Sequence, residues 1–274
     1  MKFLTETFRY LCRTSPVVKR SLWRRWYEYL ATKNWEDELL FMNYGFVSLD
    51  SELGKIYINE YEEKYRLRIQ LYHYVANSVE IEGKNVLEVG CGRGGGSAYI
   101  ARLLKPRSLI GVDFSQKAIH FCQKHHSLPG LDFQHGDAES LPFEDNSFDV
   151  LINVESSYCY GHMDRFLAEV RRVLIPGGYF AYADFRGMED IESLRSDLYN
   201  SGLKLIDKKD ITPNVLKAME LGHDIKIQSI QEKAPRLLKK SFISFTGTKD
   251  STVYNAFARG KKEYFRYIFQ KPED

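Results

Sequence analysis

The sequence predicts an α/β fold: a seven-stranded, mostly parallel sheet with a helical N-terminal extension and a helical lid. Three observations carry that prediction. From residue 83 onward, short apolar runs alternate with stretches that repeat apolar residues at helical spacing, the pattern of a parallel sheet covered on both faces. The first run ends in a glycine cluster, Gly90-Cys-Gly-Arg-Gly-Gly-Gly96. The stretches 1–80 and 213–245 break the alternation with helical, charge-rich sequence.

Each element follows from local chemistry. Residues 1–80 form the N-terminal extension or cap, and 81–274 the main domain with a lid insertion at about 213–245. In the extension, Leu22, Trp23, Trp26, Tyr27 and Leu30 recur at helical spacing, with Arg20, Arg24 and Arg25 between them. That pattern describes a helix packing an aromatic face on the domain and exposing a basic face. The competing reading is an interfacial helix in peripheral contact with an anionic membrane. Asn85-Val-Leu-Glu-Val89 is a buried strand running into glycines. A helix from about Gly95 to Leu104 stops at Pro106. Leu109–Asp113 is the second strand, and Ser115 caps a helix over Gln116–His126. Leu131–His135 and Phe148–Asn153 are the third and fourth strands. Phe166, Leu167, Val170, Val173 and Leu174 give the helix Met163–Leu174, closed by a stop and turn at Pro176-Gly-Gly178. Tyr179–Ala183, a helix over Ile191–Ser201, a strand within Leu203–Thr212 and the aromatic run Tyr264–Gln270 complete the sheet.

Composition narrows the function classes. The chain has 274 residues, 43% hydrophobic and 28% charged, as in an ordinary globular protein. A formal net charge of +2 gives no reason to expect a nucleic-acid partner. Cys12, Cys91, Cys122 and Cys159 are widely spaced, so neither a zinc site nor a disulfide framework is indicated, and a reducing, cytoplasmic setting follows. Glu6 and Arg9 interrupt the apolar stretch that a secretory signal would need, and no apolar run has the length of a membrane span.

The glycine loop is ambiguous alone. Gly90, Gly92 and Gly95 also satisfy the dinucleotide pattern G-x-G-x-x-G. The flanks separate the readings. Glu88, an acid at the end of the first strand, would repel a pyrophosphate and attract a ligand carrying an ammonium and a sulfonium. Asp113 ends the second strand, where a carboxylate accepts ribose hydroxyls. Asp137, after the third strand, can accept an adenine amino group beside apolar residues that stack on the ring.

The ordered set Glu88-Val-Gly-Cys-Gly-Arg-Gly94, Gly111-Val-Asp113, Gly136-Asp-Ala-Glu139, Leu141-Pro-Phe143, Phe148-Asp149 and Arg172-Val-Leu-Ile-Pro-Gly-Gly178 resembles the class I, Rossmann-like methyltransferases. That resemblance implies S-adenosylmethionine as cofactor. It implies binding by Glu88, Gly90, Cys91, Gly92 and Gly94 in the loop and by Asp113 and Phe114 after the second strand. Asp137, Ala138 and Glu139 follow the third strand, and Asn153 stands near the methionine part. The stretches Gly94-Gly-Gly96, His125–Phe133, Val154-Glu-Ser-Ser-Tyr-Cys-Tyr160, Arg165–Glu169 and Tyr179–Asp184 further resemble the phthiotriol/phenolphthiocerol dimycocerosate methyltransferases. That group implies O-methylation of a hydroxyl on a long lipid. Related enzymes methylate sugars and polyketides, and the basic N-terminus here departs from the group.

An alcohol acceptor must lose a proton, so a general base is expected. The segment Glu155-Ser-Ser-Tyr-Cys-Tyr-Gly-His162, after the fourth strand, is where the acceptor should sit. His162 is the candidate base, for its near-neutral range. By resemblance to sugar O-methyltransferases, Asp184 would pair with it. Tyr158 and Tyr160 either orient the acceptor or wall the pocket. His125 and His126 read as helix C-terminal residues, and His223 stays unassigned. Without metal-ligand spacing, the reaction is expected to be metal-independent. Residues 213–245 read as a lid, apolar inside and basic outside at Lys217, Lys226, Lys239 and Lys240, or as a plain packed insertion. Phe41-Met-Asn-Tyr-Gly-Phe46 resembles the stretch that closes over the cofactor in related enzymes. The rival functions are C-methylation of a sterol or quinone ring, a non-catalytic regulator that binds S-adenosylmethionine, and a nicotinamide dehydrogenase.

Overall fold

The computed structural model describes residues 11–12, 15–31, 39–50, 56, 58–233, 239, 243 and 246–273. The readings made at 1–10, at Lys240 and over 234–238 lie outside the described residues.

The sheet has seven strands: β1 Asn85–Val89, β2 Ser108–Asp113, β3 Leu131–His135, β4 Phe148–Val154, β5 Leu174–Gly187, β6 Lys204–Asp210 and β7 Lys262–Gln270. Their spatial order is β3-β2-β1-β4-β5-β7-β6. The pairs β1–β2, β1–β4, β2–β3 and β4–β5 are parallel, while β7 runs antiparallel to both β5 and β6. The chain order reverses between β1 and β4. The carboxyl ends of those two strands therefore flank a crevice, where open α/β sheets bind ligands.

The helices are α1 Pro16–Ala31, α2 Arg66–Ala76, α3 Gly95–Leu103, α4 Gln116–His125, α5 Met163–Val173, α6 Ile191–Asn200, α7 Thr212–Leu221, α8 His223–Lys233 and α9 Thr252–Ala258. On one face of the sheet, Ile69 and Val75 of α2, Ile100 of α3, Val215 and Met219 of α7 and Phe257 of α9 pack on Val86, Ile152, Ala181 and Ile268. On the other, Phe166, Leu167 and Val170 of α5 and Leu194 and Leu198 of α6 pack on Leu87, Leu151, Phe180 and Phe265. Each side chain buried this way contributes about 1.5–3 kcal/mol. That is how polar α5 sequence, Met163-Asp-Arg-Phe-Leu-Ala-Glu-Val-Arg-Arg-Val173, earns its place through one apolar stripe.

Two expectations change, and of the two readings of 213–245 the described residues favour the packed insertion. The boundary at residue 80 is not a packing boundary, because α2 belongs to the sheet's own face layer. Pro176-Gly-Gly178 is not a turn between helix and strand. Helix α5 gives way directly to β5 at Leu174, and the Pro-Gly-Gly lies within β5 as an irregularity between the pairs Phe148↔Leu174 and Val150↔Tyr179. The described part of 213–245 is a packed helical pair: Val215, Ala218 and Met219 are fully buried, and Ile230 of α8 packs with Trp26, Tyr27 and Tyr29 of α1. Among the described residues no helix is long and apolar enough to cross a membrane.

Candidate active site

The site grows from the turn after β1. The N–H groups of Gly90 and Cys91 both donate to Val112 O, at 2.7 and 3.0 Å, which bends the chain across the end of β2. Gly90 has φ +80°, and a Cβ there would overlap Ser156 Oγ. At Gly96, in the first turn of α3, a Cβ would overlap the Tyr72 ring. The loop is thus pressed between α2 and the segment after β4, and only glycine fits at both contacts.

The acids around this loop have different jobs. Glu88 is fully buried and does not reach the cavity. Tyr72 donates to its Oε1 at 2.8 Å and Ser97 to its Oε2. Burial pushes it up to about 7, against those two hydrogen bonds. The expectation that Glu88 meets a cationic ligand is therefore revised: it ties α2 and α3 to β1 under the loop. Asp113 does line the cavity, accepting from Gly92 N at 2.9 Å and Ser115 N at 2.8 Å. Burial raises it to about 6, and the two N–H donors act against that rise.

Behind β2 and β3, Phe114, Asp137, Ala138 and Glu139 all line the cavity. Asp137 Oδ1 accepts from Glu139 N at 3.0 Å, and its Oδ2 is paired with the Arg20 guanidinium of α1. Arg20 also lies 3.4 Å from Glu139 Oε2 and 4.5 Å from the centre of the Phe114 ring. The basic face expected to be solvated thus turns Arg20 into the crevice. Glu139 Oε1 accepts from Gly161 N at 2.8 Å and His162 N at 3.2 Å.

Cys91 lines the cavity, whereas Gly94 and Asn153 stand behind its wall. Asn153 Nδ2 lies within donating distance of Val89 O (2.9 Å), Ser156 Oγ (2.7 Å) and Tyr160 OH (3.0 Å). Its Oδ1 is buried with no partner among the described residues. His126 is the C-cap of α4, as its helix-end reading has it, and also bonds the loop through Arg93 O, 2.8 Å from Nε2.

The cavity has about 1220 Å³ of empty volume, its open mouth included. Its cover comes from α1, through Arg20, Trp23, Arg24 and Tyr27, and from Leu39, Leu40, Met42 and Asn43. Of the Phe41–Phe46 stretch, Met42 stands above Gly92 and Phe41 against Gly95, with the preceding Leu40 O also against Gly95. None of the described residues of 213–245 lines the cavity. Nor is Lys226 on an outer basic face: burial lowers it to about 7, and its Nζ donates to Thr246 O at 3.3 Å.

The acceptor-side residues divide similarly. His162 is the N-cap of α5, outside the cavity wall, and its ring makes no hydrogen bond among the described residues. Asp184 is fully buried and committed elsewhere. It accepts from Ser157 Oγ at 2.5 Å and Tyr158 N at 3.1 Å, with Arg186 at 3.2 Å. The structure does not bring His162 and Asp184 together. Tyr160 lines the cavity; Tyr158 stands behind it, hydroxyl to hydroxyl with Tyr27 and edge-on to Trp23 at 5.2 Å. Glu155, named in the sequence only as part of a segment, lines the cavity as the first residue after β4. A carboxylate directly beyond a central strand end was the signal available for it.

A family model described as a methyltransferase domain matches residues 87–182. The chain is 39% identical over 257 residues to the phthiotriol/phenolphthiotriol dimycocerosates methyltransferase of Mycobacterium tuberculosis, covering 94% of each chain. It is 39% identical over 248 residues to the fatty-acid O-methyltransferase of Mycolicibacterium smegmatis, covering 90% of this chain and 89% of that one. Among solved structures, a geranyl diphosphate C-methyltransferase from Streptomyces coelicolor matches with a TM-score of 0.66 at 16% identity, covering 92% of this chain and 97% of that one. At that identity the likeness speaks to the fold.

Proposed function

The chain belongs to the class I S-adenosylmethionine-dependent methyltransferases, in the group of the phthiotriol/phenolphthiotriol dimycocerosates enzymes, and on that premise we propose that it methylates an oxygen of a long, lipid-like acceptor. The observation that carries this reading is the make-up of the cavity. Beside the polar groups of the glycine loop and the strand ends, it is walled by Trp23, Tyr27, Leu39, Leu40 and Tyr160. A relative that acts on phthiotriol dimycocerosates and another that acts on a fatty acid support an acceptor of that kind.

The residues present fit the donor. Gly90 leaves no room for a side chain where the loop must approach a ligand. Asp113 would accept the ribose hydroxyls, Asp137 the adenine amino group, with Phe114 and Ala138 against the ring. Asn153, behind the wall, would hold Ser156 and Tyr160 at the methionine end. When bound, S-adenosylmethionine supplies a methyl group made electrophilic by its sulfonium. The chain's own task is then to align the acceptor oxygen, exclude water and deal with one proton. The cover formed by α1 and residues 39–43 serves the first two. Asp184 serves alignment from behind, fixing Ser157 and the Tyr158 backbone.

A radiolabelled-methyl assay on a lipid extract, with products resolved afterwards, tests the reading. Label is expected in a base- or acid-stable ether or in an ester of an apolar lipid. Label in no lipid fraction would move the acceptor to a sugar or ring compound.

A further inference from the structure

We propose that Glu155 is the general base for an acceptor hydroxyl, and that it sorts acceptors by favouring alcohols and phenols over carboxylic acids. This rests on the O-methylation reading above.

The geometry singles Glu155 out. It follows β4, at the crevice between β1 and β4, and lines the cavity beside Ser156. Its backbone is left-handed, with φ +49°, a conformation that a residue with a long side chain keeps only where its surroundings enforce it. Two donors enforce it here. Tyr44 N and Tyr264 OH both reach Oε1, each at 2.8 Å. No donor reaches Oε2 among the described residues. The carboxyl is thus gripped by one oxygen and offers the other.

The remaining wall carboxylates are already engaged. Asp113 holds Gly92 N and Ser115 N, and Asp137 and Glu139 hold Arg20 and backbone amides. No histidine lines the cavity among the described residues. Burial pushes Glu155 up to about 8, opposed by the bonds from Tyr44 and Tyr264. Asp184 pushes the same way as burial, and Lys226 opposes it. Tyr72 of α2 is the further titratable group that feels its charge. A carboxylate of raised basicity is a better match to a hydroxyl proton than an ordinary one.

The step balances. The acceptor O–H bond breaks and its proton goes to Oε2. The O–H pair stays on the oxygen, an oxygen electron pair forms the bond to the methyl group, and the methyl–sulfur bond breaks with its pair left on the donor's sulfur. A fatty acid has no proton to give at neutral pH, and its carboxylate would meet a like charge at Glu155 as that group ionises toward pH 8.

The test uses the full chain, a long-chain para-alkylphenol and palmitic acid. Glu155→Gln is expected to lower kcat/KM for the phenol by about 100-fold or more, to leave S-adenosylhomocysteine binding unchanged and to abolish the fall of palmitate turnover toward pH 8. Wild-type phenol turnover should rise with pH up to about 8, and palmitate turnover should fall over the same range. Independently of activity, carboxyl-labelled glutamate in the cofactor-free protein should show one resonance titrating near pH 8 that E155Q lacks. Wild-type rates on the phenol in E155Q, a flat pH profile or the absence of that resonance would each overturn the role of Glu155 alone. Should E155Q fail to bind S-adenosylhomocysteine, Glu155→Asp and the wild-type profile decide in the same way. Turnover of neither probe by the wild type would overturn the acceptor reading together with Glu155.

Discussion

The donor half of the crevice and its cover are built by different kinds of contact. In the donor half, the turn after β1 is closed by backbone bonds to the neighbouring strand, Gly90 and Cys91 to Val112. The cover is closed by side chains distant in sequence. Arg20 meets Asp137 across 117 residues, Tyr27 meets Tyr158 across 131, and Tyr44 N meets Glu155 across 111. A site written in backbone chemistry leaves glycines and strand-end acids at fixed spacing. A site assembled by long-range side-chain meetings leaves no comparable trace. The difference accounts for why the first half is legible in the sequence and the second is not.

The largest expected effect breaks the donor half by itself. Gly90→Ala combines a left-handed backbone with an overlap at Ser156. It should weaken S-adenosylmethionine binding by about 100-fold or more through strain of about 1–3 kcal/mol and a displaced loop, as read by calorimetry. An unchanged Kd would show that the loop does not approach the ligand. Next is Asp113→Asn, which removes a charged acceptor worth about 2 kcal/mol, or roughly 30-fold in Kd. The same carboxylate gives a pH signature. It rises to about 6, so the charged form is lost as pH falls through that value, and wild-type affinity for the donor should decline below it. Affinity independent of pH there would remove Asp113 from ribose recognition.

The cover should answer differently. Trp23→Ala removes an aromatic wall and its edge contact to Tyr158. It should lower kcat/KM for the acceptor about tenfold while barely moving the donor Kd. Equal losses for both ligands would erase the distinction between the halves. The smallest effect sharpens it. Arg20 and Asp137 are each 30% exposed, so their pairing is worth at most about 1 kcal/mol. Arg20→Ala should free Asp137 and Phe114 and tighten donor binding by about threefold. Weaker binding would mean that Arg20 assists the adenine end.

The fold was legible nearly strand for strand, because buried parallel strands are apolar runs and their helices carry one apolar stripe. Pro176-Gly-Gly178 misled, since an irregular strand start and a turn use the same residues. Among site residues, Gly90, Asp113 and Asp137 could be placed from spacing alone. Glu88 was legible as an acid at a strand end, but not the side of the loop it serves, because Tyr72 and Ser97 come from two other elements. His162 looked suited to base chemistry by its ionisation range, yet sits at a helix cap. Glu155 depends on Tyr44 and Tyr264, at opposite ends of the chain.

Helix α1 touches both halves: Arg20 at Asp137 and, two turns on, Tyr27 at Tyr158. Its docking on the sheet is therefore a free-energy term shared by two binding equilibria. The factor by which donor binding would change acceptor affinity through that docking is the factor by which acceptor binding would change donor affinity. Donor and acceptor would then favour or oppose one another through one helix rather than through contact between the two pockets.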